Sequence, residues 1–309
     1  MINGRSNPGK YTEMSQLPQQ MGLFEHVHRK AAEHNNSERV GETDKPAASG
    51  DMLIPFAFEE TLCRDVGAGL VLPSIHLWSH QGGVALGLRD SKLPCAGVAM
   101  LRLEEQGIRT AVRHSGGAAV PLDEGVINIS LILPKSRGKL DFHDDFRLLA
   151  SLITEAVAVS HPLAAANVEA GEITHSYCPG DFDLAIGGRK FCGIAQRRQS
   201  HAYFVHAFVV ISGSGQERGE LIRRFYEEAA CGQEGLSYPD VRPETLAGLG
   251  ELGGPATTEV FTAAILQVLA NRGIQVKPAA VLEEETGYTL DYEDIRVLEA
   301  ARVLRERYA

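Results

Sequence analysis

Paired cysteines, long apolar runs and excess positive charge are all scarce in this 309-residue chain, and each scarcity excludes something. The five cysteines (Cys63, Cys95, Cys178, Cys192 and Cys231) are an odd number with no C-x-x-C pair. That pattern argues against a disulfide framework and against a thiolate zinc site. It also leads us to expect a cytoplasmic protein with reduced thiols. No apolar run is long enough to span a bilayer, and the polar N-terminus lacks the apolar segment of a signal peptide. Lysine and arginine number 30 against 40 acidic side chains, a net charge of −10, so nucleic-acid binding has no electrostatic support. The local basic clusters Arg189-Lys190, Arg197-Arg198 and Arg223-Arg224 suit a solvated face or an acidic protein partner. No metal or tightly bound cofactor is implied, and His26 and His28 have no third ligand nearby.

Apolar content is ample for a core, and the length fits one large or two ordinary domains. Residues 1–50 are polar and rich in Gly, Pro, Asn, Ser and Gln. They read as a flexible N-terminal extension with a short helix over Met21–Ala32. Phe58, Leu62, Cys63 and Val66 recur at helical spacing, so Phe56–Val66 reads as an amphipathic helix with Cys63 on its core face. Strands are expected at Ser74–Ser79, Val84–Leu88 and Ile108–Arg113, with a helix over Asp90–Gln106 between the last two. Cys95, between Pro94 and Ala96, has no partner that suggests chemistry. Val126–Leu133 alternates Asn128 and Ser130 with apolar residues, as a half-buried strand does.

His143–Ser160 reads as a helix, Ala202–Ile211 as a strand and Arg218–Ala230 as a helix. His201 and His206 read as hydrogen-bonded sheet histidines. Three more helices are expected: Pro243–Leu252, Thr257–Arg272 and Asp291–Tyr308, the last capped by Asp291. Hairpins rather than regular βαβ units indicate an α+β fold of mixed and antiparallel sheets flanked by helices. The main domain is expected over residues 51–255, with a helical C-terminal segment, 256–309, packed on it.

The stretch from Thr174 to Arg198 carries the chemistry. Asp181–Ile186 and Arg189–Arg198 are strand-like runs joined by Gly187-Gly188, a tight hairpin turn in which both residues take φ > 0 without strain. The hairpin brings Lys190 toward the loop that carries Cys178, just before Pro179-Gly180. A loop thiol with a cation nearby suits an activated nucleophile, whereas a lone cysteine is more often buried filler. A second small-residue loop, Arg113-His114-Ser115-Gly116-Gly117-Ala118-Ala119-Val120, offers a backbone that approaches a ligand closely and free N–H donors. It lacks the Lys-Ser/Thr ending of a P-loop, and Ser212-Gly-Ser-Gly215 lacks the full dinucleotide fingerprint.

Together these segments resemble the family of lipoate–protein ligases, octanoyltransferases and biotin ligases. The loop Arg113–Val120 is similar to that family's Arg-Arg-x-Ser-Gly-Gly-Gly-Ala-Val acyl-binding loop, and Asn128-Ile-Ser-Leu131 to the strand that follows it. Asp183-Leu with Gly188–Arg198 matches its lysine-bearing hairpin. Ser176-Tyr-Cys-Pro-Gly180 and Leu221-Ile-Arg-Arg-Phe-Tyr226 resemble one branch, the Gram-positive amidotransferases that move octanoyl groups from the glycine-cleavage H protein to other proteins.

The resemblance implies a biotin/lipoate-ligase-like catalytic domain with Cys178 as acyl-accepting nucleophile and Lys190 as the family's pocket lysine. Arg113, Ser115, Gly116, Gly117 and Gly193 would bind the acyl substrate, with no metal and no cofactor. The donor would be octanoylated H protein, and the acceptors lipoyl domains of 2-oxoacid dehydrogenase complexes. Lys190 is expected to lower the thiol's pKa and to hydrogen-bond the acyl carbonyl. His175 is a candidate base or a structural residue, and Cys192 a buried strand residue. Two departures, His114 for the second arginine and Ala118 for the third glycine, weaken the expectation of an acyl-adenylate. The alternatives are an ATP-dependent lipoate–protein ligase, an octanoyltransferase that uses acyl carrier protein, and a non-catalytic lipoyl-domain binder.

Overall fold

The computed structural model describes residues 17–28, 50–135 and 142–308. The first half of the chain holds β1 (Gln20–His26), α1 (Ile54–Gly67), β2 (Ser74–Trp78), β3 (Gly83–Leu86) and α2 (Ala96–Glu105). β4 (Arg109–Val112), β5 (Val120–Leu122) and β6 (Val126–Pro134) follow. The second half opens with α3 (Phe142–Ser160), α4 (Pro162–Ala165), β7 (Val168–Ala170), β8 (Leu184–Ile186), β9 (Arg189–Arg198) and β10 (Ala202–Val210). It ends with α5 (Gly215–Ala230), α6 (Thr258–Asn271), β11 (Gln275–Pro278), α7 (Ala279–Thr286) and α8 (Ile295–Tyr308).

Eight strands form one sheet in the order β11-β1-β2-β6-β10-β9-β8-β7, and β4-β3-β5 form a second. β1 runs parallel to both of its neighbours, and every pairing from β2 onward to β7 is antiparallel. The fold is therefore α+β with mixed sheets, as expected. Alternation sorts the large sheet's side chains into two cores. Ile127, Ile129, Leu131 and Leu133 of β6 pack with Leu149 and Ile153 of α3 and with Ile265 of α6. Phe204 and Phe208 of β10 face the other way, toward Phe56 of α1, the small sheet and Tyr226 of α5. Glu59 of α1 is wholly buried on that second face, where its Oε1 accepts from Trp78 Nε1 at 2.8 Å and Ser130 Oγ at 2.5 Å. Among the described residues no helix is long and apolar enough to cross a membrane.

Several elements differ from expectation. The helix expected over Met21–Ala32 is instead the strand β1, held by parallel pairing on both sides; residues 29–32 lie outside the described residues. Period-two burial explains the choice: Met21 and Leu23 face one core and Phe24 the other. Most of the remaining N-terminal extension also lies outside the described residues. Pro94 splits the helix expected over Asp90–Gln106 into a 3-10 turn, Asp90–Lys92, and α2. The helix expected over Pro243–Leu252 is two 3-10 turns, Pro243–Thr245 and Leu249–Leu252. Between them Leu246 bridges Lys190 of β9 and the Ala247 N–H donates to the Lys190 carbonyl at 3.0 Å, which pulls the segment straight.

Cys95 and Cys231 form a disulfide, which corrects the expectation that all five thiols stay reduced and that Cys95 has no partner. Cys95 precedes the first residue of α2, and Cys231 ends α5 in the left-handed conformation (φ 52°). The Cys95 N–H donates to the Ala229 carbonyl at 2.9 Å, so these helix ends meet with their Cα atoms 5.9 Å apart, within disulfide reach. The contact joins residues 136 apart in sequence, which spacing alone does not reveal.

Candidate active site

The Gly187-Gly188 turn forms as expected, with φ of 57° and 73°, and returns the chain along β9. The loop from β7 to β8 carries Cys178, and two of its non-glycine residues have positive φ: His175 (66°) and Cys178 (47°). A β-carbon in the left-handed region costs roughly 1–2 kcal/mol, and strain of this kind persists only where the surroundings enforce it. They do so here through Lys190. Its Nζ donates to the Tyr177 carbonyl at 2.9 Å and the Cys178 carbonyl at 2.7 Å, and pairs with Asp183 Oδ2 at 2.8 Å. An ammonium has three donors, so all are engaged. Lys190 and Asp183 are each 1% exposed. Burial pushes the Asp183 carboxyl up to about 6, although Lys190 pulls the other way. Lys190 thus grips the backbone on which the thiol stands, rather than the thiol or an open site for an acyl carbonyl.

The groups that face the thiol belong to the other loop. Cys178 Sγ accepts from the Ala118 N–H at 3.2 Å and lies 3.6 Å from Arg113 Nη2. The same guanidinium bonds the Ala118 carbonyl at 2.6 Å, Ser115 Oγ at 3.1 Å and the Gly116 carbonyl. Gly117 permits this approach: at φ 99° any side chain is strained, and a β-carbon there would lie 2.7 Å from Sγ. His114 turns away to Glu60, Nε2 to Oε2 at 2.9 Å. Beyond Sγ opens a narrow apolar cleft, walled by Phe56, Val120, Leu122, Gly193 and Phe208. A β-carbon on Gly193 would lie 2.6 Å from the Phe208 ring, so that wall too requires glycine. Asn128 and His206 also line the cleft, and neither Asn128 Nδ2 nor His206 Nε2 has a hydrogen-bond partner. Burial lowers the His206 ring to about 4, so it is neutral.

The structure therefore brings Cys178, Arg113, Gly117 and Gly193 together around one cleft. Ser115 and Gly116 bond Arg113 rather than the thiol, and Lys190 bonds the loop backbone. Of the three free cysteines only Cys178 is partly exposed. Burial pushes the Cys63 thiol up to about 12 and raises that of Cys192, which faces the opposite core. His175 turns its Nδ1 to Asp240 at 2.9 Å. Sequence reasoning missed Asp183 as the partner of Lys190, the Ala118 N–H, and Asp90 and Tyr226 behind the loop. A buried lysine demands an anion, and that demand was the one available signal for Asp183.

The architecture is that of lipoate–protein ligases. A bi-partite lipoate protein ligase from Thermoplasma acidophilum superposes with a TM-score of 0.54 at 16% identity, covering 94% of this chain and 92% of that one. Lipoate-protein ligase A bound with ATP gives 0.57 at 18% identity over 84% and 91%. The chain belongs to the lipoyl protein ligase A/B catalytic domain family, which matches residues 51–270. Among curated relatives, the octanoyl-[GcvH]:protein N-octanoyltransferase of Anoxybacillus flavithermus is 40% identical over 239 residues, 77% of this chain and 85% of that protein. The lipoyl-[GcvH]:protein N-lipoyltransferase of Listeria monocytogenes is 38% identical over 203 residues, 65% and 72% of the two chains.

Proposed function

We propose that this protein is an octanoyl amidotransferase. It takes the octanoyl group from a lysine of glycine-cleavage H protein and delivers it to the target lysine of lipoyl domains, through a thioester on Cys178. The names of the curated relatives support the donor. The observation that carries the thioester is the partly exposed Cys178 Sγ at the mouth of an apolar cleft, facing the Ala118 N–H and the Arg113 guanidinium. Exchange of one lysine amide for another is nearly isoenergetic, so the barrier is kinetic. The Cys178 thiolate attacks the amide carbonyl, the C–N bond breaks, and the departing lysine amine takes up the thiol's proton. A second lysine amine then attacks the thioester, and its proton returns to Cys178 as the C–S bond breaks. Donors preorganised beside Sγ hydrogen-bond the attacking sulfur. The alkyl chain lies in the cleft, where each methylene removed from water contributes about 0.8 kcal/mol. Lys190 keeps the nucleophile in its strained turn.

The test combines purified protein, octanoyl-H protein and an apo lipoyl domain without ATP, followed by intact-mass and peptide mass spectrometry. A hydroxylamine-labile octanoyl adduct on Cys178 and transfer to the acceptor are expected, and both vanish in Cys178→Ala but not in Cys192→Ala. Transfer that needs ATP and survives Cys178→Ala makes the protein a ligase and refutes the proposal. A second reading, lipoyl transfer, draws on the unpartnered Asn128 and His206 atoms in the cleft, which a saturated chain leaves unsatisfied. Lipoyl-H protein as donor in the same assay separates the two.

A further inference from the structure

Tyr226 is 1% exposed and touches no reacting atom, yet its hydroxyl bears on the nucleophile. It accepts from the Ala119 N–H at 3.1 Å and donates to Asp90 Oδ1 at 3.0 Å. Asp90, itself 3% exposed, uses Oδ2 to accept from the Gly87 N–H at 2.8 Å. Gly87 lies directly against the acyl-binding loop, since a β-carbon on it would fall 2.1 Å from the Gly117 carbonyl oxygen. The two side chains thus fix the loop at Ala119 and at Gly117. Ala118, between those two points, gives its N–H to Cys178 Sγ and its carbonyl to Arg113 Nη2. Tyr238 stacks on the Tyr226 ring at 5.3 Å and 13°, closing the outer side. The Cys95–Cys231 disulfide joins the chain just beyond both residues.

We propose that Tyr226 and Asp90 are positioning residues for acyl transfer: as a hydrogen-bonded pair they aim the Ala118 N–H at the Cys178 sulfur. The inference rests on the reading of Cys178 as the nucleophile. A phenol held between a carboxylate and a peptide N–H has no rotational freedom left, and burial of both side chains keeps bulk water from taking its place. Without the hydroxyl, the Ala119 N–H loses its 3.1 Å acceptor and is left to the Asp90 carboxylate, so the loop shifts. Ala118 and Arg113 then move off the sulfur together.

The experiment uses Tyr226→Phe, Asp90→Asn and the double variant in the full chain. Three quantities are read: the rate of Cys178 alkylation by iodoacetamide in the native protein, kcat and KM for octanoyl-H protein, and the melting temperature. Tyr226→Phe is expected to slow alkylation and lower kcat by about tenfold, the loss of one well-placed hydrogen bond, with KM unchanged. Asp90→Asn, which keeps the side-chain shape, should act in the same direction. The double variant should be no worse than the worse single, because the pair acts as one unit. Loosening of the fold alone does the opposite to alkylation, exposing the thiol and speeding its reaction. A lower melting temperature with alkylation unchanged or faster overturns the proposal and makes the pair purely structural. Failure of the nucleophile reading is separately visible, as transfer that persists in Cys178→Ala.

Discussion

Reducing the Cys95–Cys231 disulfide is expected to lower the melting temperature by up to about 8 °C. The bridge closes a loop spanning 136 positions. In the chain-entropy treatment a loop of that length restricts the unfolded chain by about 5 kcal/mol at 25 °C. Unfolding entropy near 2.1 cal/mol/K per residue gives about 0.65 kcal/mol/K for this chain, which converts the first figure into the temperature shift. Scanning calorimetry with and without dithiothreitol measures it, and thiol titration in denaturant checks the bond itself. Three thiols (Cys63, Cys178 and Cys192) should titrate before reduction and all five after it. Cys95→Ser and Cys231→Ser should each melt like the reduced protein and lose all further response to reductant. Five titratable thiols in unreduced protein would refute the bridge. Three thiols with an unchanged melting temperature would refute the entropic reasoning instead.

Gly117→Ala places a β-carbon 2.7 Å from both Cys178 Sγ and Arg113 Nη2 at a φ of 99°. It should lower transfer by about 100-fold, while the backbone strain costs only roughly 1–2 kcal/mol in denaturant melts. Lys190→Met strands the buried Asp183 carboxylate and two carbonyls, and should lower stability by about 3–5 kcal/mol in urea unfolding. Asp183 links pH to stability and transfer with opposite signs. Between 3.8 and about 6 the folded chain holds a proton that the unfolded chain has already released, so this group's stability contribution falls as pH rises through that window. Lys190 has a charged partner only above it, so transfer should decline as pH drops through about 6, and Asp183→Asn should abolish that limb of the rate profile. Cys178→Gly and Cys178→Ala should both be inactive, but at φ 47° the glycine variant should be the more stable by about 1 kcal/mol in thermal melts.

Local periodicity made most of the scaffold legible. The strand Arg189–Arg198 and its Gly-Gly turn follow from residue type and alternation. The helices after His143 and Thr257 and the strand from Val126 do so as well. The failures share a physical origin, which is long-range pairing that overrides local preference. β1 is a strand only because two distant strands pair with it, and the chain at Leu246-Ala247 is straight only because Lys190 bridges it. The site divides the same way. Residue types in two loops pointed to Cys178, Arg113 and Gly117, because a thiol and a glycine-rich loop have chemistry that spacing can suggest. The direction of Lys190 was misjudged, because nothing in its spacing shows that Asp183 and two carbonyls would consume its donors. The Cys95–Cys231 pairing and the Tyr226–Asp90 pair join residues more than a hundred positions apart, where one sequence offers no signal at all.

The strained turn explains why this lysine is buried rather than facing the thiol. Cys178 stands just before Pro179, a position pushed toward extended backbone, yet adopts φ 47°. A turn so disfavoured relaxes unless its carbonyls are held, and water can hold them in any conformation. A dry ammonium fixed by Asp183 accepts only one, since Nζ must meet the Tyr177 and Cys178 carbonyls at once. Tyr177, 1% exposed and packed near Phe208, anchors the preceding side chain in the core. With both ends of the turn committed, the sulfur projects toward Gly117 and the Ala118 N–H. The cation therefore acts on the geometry of the Cys178 turn, and contact with the sulfur falls to a neutral peptide and an arginine that the other loop supplies.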